Sequence, residues 1–223
     1  IPDKVFKDKN VRLAFNHAID RAKIADFTAK GEGVPAMNGF VPMGIPGYDN
    51  TAVKGHVYDV KKAKEYLAKA GYPEGKGFPK ITLQINSGGG RNLDVAEAIK
   101  SMLSDALNIQ IELSQVVWAQ HTNNVETGKA NFWRFGWVAD YPDPNNFLNL
   151  FYGKNVPKTM EEPAYTNPTR YVNKEYDALY EKALTTTNEA ERNQLYARLD
   201  QMLVDDAPVL LIYYSMNRRL LQP

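Results

Sequence analysis

Residues 81–113 read ITLQINSGGGRNLDVAEAIKSMLSDALNIQIEL, and the predicted fold follows from this stretch. Its first residues alternate apolar and polar side chains, which predicts a strand with one buried face. Three successive glycines end that strand, and a helix is predicted from Asn92 to about Leu107. The alternation returns at Ile109 and predicts a second strand. A strand, a helix and a strand in this order are typical of an α/β sheet with helices on its faces.

The rest of the chain continues this alternation of helices and strands. The segment 31–57 is rich in Gly and Pro, so it is expected to run extended over the surface. The other predicted helices are Lys9–Lys30, a helix capped by Asp59 that ends at Gly71, Val117–Thr127, Glu175–Thr185 and Glu189–Asp205. The other predicted strands are Asn131–Val138 and the apolar run Val209–Tyr214. No strong linker divides the chain, which favours one domain over two.

Composition excludes several classes of protein. Of the 223 residues, 43% are hydrophobic and 11% aromatic, enough for a packed core. The 27 basic and 26 acidic residues nearly cancel, so no binding to nucleic acid or to an anionic membrane is expected. No apolar run approaches the roughly 20 residues of a membrane span, and the first residues do not resemble a signal peptide. The chain has no cysteine, which excludes thiolate metal sites, cysteine nucleophiles and disulfides.

No catalytic, metal or cofactor motif stands out. The three histidines His17, His56 and His121 are far apart and lack metal-ligand spacing, so each is expected to be an ordinary surface or core residue. The glycines before Arg91 lack the pattern of a phosphate-binding loop, and a nucleophile elbow and kinase signatures are absent. Asp140 and Asp143 are a carboxylate pair that could in principle serve acid–base chemistry.

One dense aromatic patch runs from Trp118 to Phe151 and contains all three tryptophans of the chain. At its centre, residues 131–137 read NFWRFGW, aromatic at almost every position. Such rings usually belong to a core. A strand cannot bury both faces of this run and also carry Arg134 cheaply, so part of it is expected to face a cleft.

The chain resembles a known family at five places in order. The run 136–148, GWVADYPDPNNFL, resembles the signature loop of the oligopeptide- and dipeptide-binding proteins of ABC importers. The other four matching stretches are VRLAFNHAIDR (11–21), DVKKAKEYLAKAGY (59–72), YVNKEYDAL (171–179) and DDAPV (205–209). Together they span nearly the whole chain and are specific to that family, extracellular solute-binding protein family 5.

This resemblance implies a type II periplasmic-binding-protein-like α/β lobe with a mixed sheet flanked by helices. Residues 1–223 are then expected to form a single C-terminal ligand-binding lobe, with the N-terminal lobe absent. Two such lobes close around the ligand as a hinged clamp. The expected protein is a monomer that is not an enzyme, works with the membrane permease of an ABC importer, and is periplasmic or, through a lipid anchor, at the cell surface.

The resemblance also implies roles for site residues. Asp140 occupies the position of the aspartate that pairs with the α-ammonium group of a bound peptide. Trp118 and Trp137 fall where the family has side-chain pockets, and Arg134 falls where an arginine meets the peptide carboxylate. Tyr141, next to Asp140, completes the expected ligand-binding set. Strict alternation puts Arg134 and Trp137 on opposite faces, so both line the cleft only if the strand bends, and Gly136 is the position where a bend is expected.

Two alternatives stay open. The same fold could bind another cargo, such as an oligosaccharide, a nickel complex or an opine, and Asp140 discriminates because a neutral sugar needs no facing carboxylate. The second alternative is a hydrolase that uses Asp140 and Asp143, and an assay of hydrolytic turnover would reveal it. The peptide length also stays open, because Asn92 stands where some members carry a basic residue.

Overall fold

The computed structural model describes residues 4–28 and 33–216. Within these ranges the helices are α1 (Lys4–Lys7), α2 (Lys9–Ala18), α3 (Arg21–Lys23), α4 (Val60–Lys69), α5 (Asn92–Leu107), α6 (Trp118–Glu126), α7 (Asn145–Leu148), α8 (Lys174–Thr185) and α9 (Glu189–Asp206). The strands are β1 (Gly33–Pro35), β2 (Ile81–Asn86), β3 (Ile111–Val116), β4 (Phe132–Trp133) and β5 (Tyr213–Ser215). A π-helical turn covers Ile24–Thr28, and 3₁₀ turns cover Asn50–Ala52, Pro73–Gly75, Asn149–Phe151 and Gly153–Asn155.

The strands form two small sheets. In the first, β2 is central and pairs in parallel with both β3 and β4. In the second, β1 and β5 pair antiparallel. The predicted strand–helix–strand unit is therefore present as β2–α5–β3, with α5 packed on both strands. Because parallel strands end at the same edge, Asn86, Val116 and Trp133 all lie at one edge of the sheet.

Two hydrophobic cores hold these elements together. The first lies between the parallel sheet and helices α2, α4 and α5, and its fully buried side chains include Val11, Ile19, Leu67, Ile85, Leu103 and Leu107. The second lies around α8, α9 and residues 147–151, and its fully buried side chains include Leu148, Phe151, Tyr176 and Leu199. Burial of side chains of this size stabilises each core by roughly 1.5–3 kcal/mol per residue.

The buried carboxylate of Asp200 fastens the extended segment to the second core. It accepts hydrogen bonds from the backbone N–H of Phe40 (2.6 Å), the N–H of Val41 (3.2 Å) and the hydroxyl of Tyr48 (2.9 Å). A side chain at Gly39 would collide with this carboxylate, so glycine is needed there. Burial raises the pKa of Asp200 to about 6. Within residues 33–57 the chain is irregular apart from β1 and the 3₁₀ turn, and side chains such as Val41 and Val53 are buried, so the predicted extended course over the surface is only partly observed.

Helix α2 of the first core is fastened to the chain that follows α9. The Arg12 guanidinium donates to the carbonyl oxygens of Asp206 and Ala207, and the buried Arg21 donates to that of Leu211. Burial lowers the pKa of Arg21 to about 10. The half-buried guanidinium of Arg12 and the buried guanidinium of Arg21 bond mainly to backbone carbonyls, which connects the two cores.

Two histidines lie at the same junction. The His17 Nδ1–H donates to the carbonyl of Val57 (2.8 Å) and the His56 Nε2–H to that of Val204 (2.9 Å). Their ring centroids are 5.0 Å apart. Burial lowers the pKa of both groups, that of His56 to about 4.

Two predicted helix caps are confirmed. The Asp59 side chain accepts from the Lys62 N–H, and the Asn188 side chain accepts from the Glu191 N–H. Gly71 follows α4 with a positive φ of 92°, which suits the predicted stop.

The helix predicted over Lys9–Lys30 is interrupted. Helix α2 ends at Ala18, and Asp20 caps the separate turn α3 by accepting from the Lys23 N–H. The local cap competes with continuation of the helix, which the apolar pattern alone does not reveal. Residues 29 and 30 lie outside the described part of the chain.

The strand predicted over Asn131–Val138 is wrong beyond its first residues. Only Phe132–Trp133 pair, with Trp133 opposite Gln84, and β2 ends two residues later at Asn86. The pairing therefore stops although β2 itself continues to Asn86.

The buried strand predicted over Val209–Tyr214 is also wrong in extent. The structure has only Tyr213–Ser215 paired with β1, and residues 209–213 are half-buried. The backbone carbonyls there accept from side chains instead of from a partner strand: Asn16 donates to the Val209 carbonyl and Arg21 to that of Leu211. Among the described helices, none has both the length and the apolar composition of a membrane span.

Candidate functional site

The five site residues predicted from the sequence lie beyond the carboxyl ends of two parallel strands. Trp118 opens α6, two residues after β3 ends at Val116. Arg134 follows β4 directly, and the chain then runs irregularly through Asp140. In open α/β sheets, ligands bind at this carboxyl edge.

Asp140 and Trp137 are oriented by one buried side chain, Asn146 at the start of α7. Its amide oxygen accepts from the Trp137 indole Nε1–H (2.7 Å) and from the Asp140 backbone N–H (3.3 Å). Its amide nitrogen lies 3.5 Å from Asp140 Oδ2. Asn146 is only 6% exposed, whereas Asp140 is exposed and Trp137 is 37% exposed. A fixed amide therefore presents one carboxylate and one indole ring to the surface.

Tyr141 is held by the neighbouring Asn145. The Asn145 amide nitrogen donates to the Tyr141 hydroxyl (3.1 Å), and the Tyr180 hydroxyl donates to the Asn145 amide oxygen. Asp143 turns the chain into α7, because its carboxylate accepts from the Asn145 backbone N–H (2.8 Å). The Asp143 carboxylate is thus engaged in shaping the loop, as its flanking prolines suggested.

Three aromatic rings form a row along the irregular segment. Phe135 stands edge-on to Trp133, with ring centroids 5.7 Å apart, and stacks on Trp137 at 6.4 Å and 18°. Phe135 and Trp137 are exposed, and Trp133 is partly buried. We call Trp133, Phe135 and Trp137 the aromatic row. Their odd numbering continues the alternation of a strand although the strand has ended.

Arg134 lies apart from the aromatic row. Its guanidinium donates to the amide oxygen of Asn86 (3.2 Å) at the end of β2, and Asn92 donates to the same oxygen (3.3 Å). Burial lowers the pKa of Arg134. Arg134 thus contacts β2, whereas Trp137 contacts Phe135 and Asn146, as expected for alternating positions.

Trp118 is 53% exposed and stacks on the fully buried His121, with ring centroids 5.9 Å apart and an angle of 30°. The imidazole is itself bonded to the sheet: its Nε2–H donates to the Arg134 carbonyl (2.8 Å), and its Nδ1 lies 3.0 Å from the Gln84 amide nitrogen. Burial lowers the pKa of His121.

Four of the predicted residues are therefore connected in two pairs, each through a third side chain. Trp118 reaches the backbone of Arg134 through His121, and Trp137 reaches Asp140 through Asn146. Sequence reasoning gave these two connecting residues no role. Asn146 lies inside the quoted loop, six residues after Asp140, and His121 lies three residues after Trp118 on one helix face. Both signals were local and could have been used.

Metal binding has no support in the described part of the chain, where no three His, Asp or Glu side chains gather as ligands.

Family membership follows from comparison with known proteins. The sequence model described as "Bacterial extracellular solute-binding proteins, family 5 Middle" matches residues 2–158. The chain therefore belongs to this family of solute-binding proteins.

Relatives of stated cargo are similar over nearly the whole chain. The oligopeptide-binding protein OppA of Bacillus subtilis is 31% identical over 216 residues, which are 95% of this chain and 38% of that protein. Heme-binding protein A of Haemophilus influenzae is 31% identical over 223 residues, 98% of this chain and 38% of that protein. This chain thus spans about two fifths of the length of the curated relatives it matches.

A solved structure of a periplasmic binding protein has the same fold as this chain. The periplasmic binding protein DppA of Helicobacter pylori, in complex with the peptide STSA, superimposes with a TM-score of 0.84 at 30% identity, covering 96% of this chain and 40% of that one. The type II periplasmic-binding-protein-like fold, with helices flanking small sheets, is confirmed.

Proposed function

We propose that this chain is one ligand-binding lobe of a protein that captures peptides for an ABC importer. The observation that carries the proposal is the exposed Asp140 carboxylate beside the Trp137 ring, both oriented by Asn146. A carboxylate fixed in this way is a partner for a cation, and a peptide with a free N-terminus carries one as its α-ammonium group.

The surrounding groups suit the rest of a peptide. The aromatic row and Trp118 offer ring faces that tolerate many side-chain chemistries. Arg134 supplies a guanidinium that pairs with carboxylates in a fixed geometry, which suits a C-terminal or acidic side-chain carboxylate. The relatives named as oligopeptide- and dipeptide-binding proteins support the same cargo.

The site needs a second wall. Trp118, Trp137 and Asp140 are all exposed here, and a charge-assisted bond gains strength only when water is excluded. We place that wall on an N-terminal lobe of the same polypeptide, with this chain as the C-terminal lobe. The protein then acts as a monomer, periplasmic or at the cell surface, and hands its cargo to a membrane permease.

The family and the fold alone do not determine the cargo, because one relative is a heme-binding protein and a fold does not fix a ligand. The exposed carboxylate favours a peptide. A porphyrin carries propionate anions, and Asp140 would repel them if they lay beside it.

The test uses the full-length protein and isothermal titration calorimetry with matched peptides, free and N-acetylated. Acetylation removes the cation, so we expect it to weaken binding by roughly 2–5 kcal/mol, about 30-fold or more in Kd. Asp140→Asn should weaken the free peptide similarly. Asp143→Asn is the control, since it removes the same charge from the same loop while its amide oxygen can still accept from Asn145.

Equal binding of free and acetylated peptides, or equal losses in the two variants, would contradict the role of Asp140. We also expect each peptide to be recovered unchanged after prolonged incubation, because the protein binds without converting its ligand. Hydrolysis that Asp140→Asn abolishes would favour the enzyme alternative.

A further inference from the structure

A buried polar network joins the centre of the parallel sheet to the site. Gln84 lies in β2, and its amide oxygen accepts from the Asn124 amide nitrogen (2.7 Å). The Gln84 amide nitrogen faces His121 Nδ1 at 3.0 Å, and His121 Nε2 faces the Arg134 carbonyl at 2.8 Å. Gln84 is 7% exposed and His121 is fully buried, so water cannot readily replace these bonds.

With Gln84 and Asn124 oriented as in the structure, the network sets one protonation state of His121. Because the Gln84 oxygen is taken by Asn124, the Gln84 amide presents an N–H to His121 Nδ1. Nδ1 must therefore accept, and the ring proton sits on Nε2, where it is donated to the Arg134 carbonyl. The imidazole is neutral, with its tautomer set by its two neighbours.

The imidazole touches both parts of the site. Its face is stacked on Trp118, whose ring is otherwise half-exposed. Its Nε2–H holds the Arg134 carbonyl, while the Arg134 N–H donates to the Gln84 carbonyl (2.9 Å). The peptide unit at the start of the irregular segment is thus held on both sides, at the point where strand pairing ends.

We propose that His121 is a positioning residue of the binding site. The neutral imidazole fixes Trp118 and the start of the irregular segment at Arg134, and protonation of the imidazole releases both and weakens ligand binding. The binding part of this inference rests on the function proposed above.

Protonation would break the network for a simple reason. A second N–H on His121 would point at the N–H of Gln84, donor against donor. Turning Gln84 alone would bring its nitrogen against the donor of Asn124, so the amides of Gln84 and Asn124 would have to turn together and the contacts among the three side chains would be rearranged. The charged group that faces the ring is the Arg134 guanidinium, which together with burial lowers the pKa of His121. The network is therefore intact at neutral pH and is lost as pH falls below the ordinary histidine value of about 6.5.

The first test needs no ligand. In the full-length protein we would retain Trp118 and replace Trp133, Trp137 and any tryptophan outside this chain by Phe, then follow fluorescence from pH 8 to pH 4. Trp118 emission should change in one step with a midpoint below about 6.5. His121→Phe, which keeps a ring under Trp118, should abolish the step.

Gln84→Glu provides the sharpest variant. It places a carboxylate oxygen opposite Nδ1, which stabilises the imidazolium, so the midpoint should move to higher pH by one unit or more. A step that persists in His121→Phe, or a midpoint that Gln84→Glu leaves unchanged, would overturn the assignment. The single-tryptophan protein that retains His121 and Gln84 tests the proposal even if a variant fails to fold. If its Trp118 emission shows no step between pH 8 and pH 4, the assignment is also overturned.

The second test measures peptide affinity across the same pH range. His121→Phe should bind about tenfold more weakly than the parent at pH 8 and should lose the parent's decline toward acid. His17→Phe is the matched control, a buried histidine of the other junction, and should keep both the affinity and the decline. Binding by His121→Phe that equals the parent at every pH would refute the positioning role while leaving peptide binding itself intact. Failure of every variant and the parent to bind peptide would refute the proposed function instead, and the Trp118 titration would still decide the role of His121.

Discussion

Replacing Asn146 by Ala should weaken ligand binding through two residues that the mutation does not touch. The change removes the acceptor of the Trp137 indole N–H at 2.7 Å and of the Asp140 N–H at 3.3 Å. Each hydrogen bond contributes about 0.5–1.5 kcal/mol net, so the free energy of unfolding should fall by about 1–3 kcal/mol. Both groups would then have to be ordered by the ligand, at about 0.5–1.5 kcal/mol for each side chain. The expected loss of affinity is therefore about 5- to 150-fold.

The assay is calorimetric titration of the full-length protein with a free-N-terminus peptide, beside urea unfolding of the same samples. Asn149→Ala is the control. Asn149 lies three residues further along, and its amide oxygen accepts from Asn155 (3.0 Å), away from Trp137 and Asp140. It should lose a comparable amount of stability and keep its affinity. The reasoning is refuted if Asn146→Ala loses stability but binds as tightly as the parent, because the amide would then support the fold without orienting the site.

Two further predictions concern stability and pH, and each compares a variant with the parent so that other titrating groups cancel. The pKa of buried Asp200 is raised from 3.8 to about 6, so its protonated form adds about 3 kcal/mol that is present below about pH 3.8 and lost as pH rises through 6. Asp200→Asn removes this titration. The urea midpoint of the variant should therefore rise relative to that of the parent between pH 4 and pH 7, and a difference between the two midpoints that does not change with pH would contradict the prediction. The pKa of His56 is lowered from 6.5 to about 4, so its neutral form contributes stability that is present above pH 6.5 and lost as pH falls through 4. His56 is partly exposed, so the contribution to the free energy of unfolding is expected to be only about 1–3 kcal/mol. His56→Gln should become more stable relative to the parent as pH falls, which is the direction opposite to Asp200→Asn. A stability difference that does not change with pH would show that burial does not control the protonation of His56.

Local patterns predicted the elements that are built from local contacts. The separate elements β2, α5 and β3 and the caps at Asp59 and Asn188 follow from residues close together in sequence, and the sequence predicts all of them. The strand at 131–138 was extended too far because its alternation continues past Trp133. Where a strand stops depends on its pairing with a partner, and the last residue of β2 that pairs with β4, Gln84, is distant from Trp133 in the sequence. No local pattern carries that information.

The site shows the same division. Asp140 and Trp137 could be named from a short run of sequence, because they lie three residues apart on it. The bonds that orient them could not be derived from alternation, since Asn146 reaches them only after the loop has turned at its prolines. The protonation of His121 is even further from what local sequence can predict. Its Nδ1 accepts because the Gln84 amide nitrogen, 37 residues away, faces it, and the orientation of the Gln84 amide is set in turn by Asn124.

The position of the irregular segment explains why it is sensitive to these side chains. From Phe135 to Asp140 the chain has left the sheet, so strand pairing no longer fixes its backbone. Its ends are held instead by His121 at one side and by Asn146 at the other. Loss of either contact leaves both hydrophobic cores complete, so the protein should stay folded while the site loses its alignment. A segment held in this way can adjust its aromatic row to different ligands while the two ends keep the carboxylate of Asp140 in place, which is the combination that a binder of varied peptides requires.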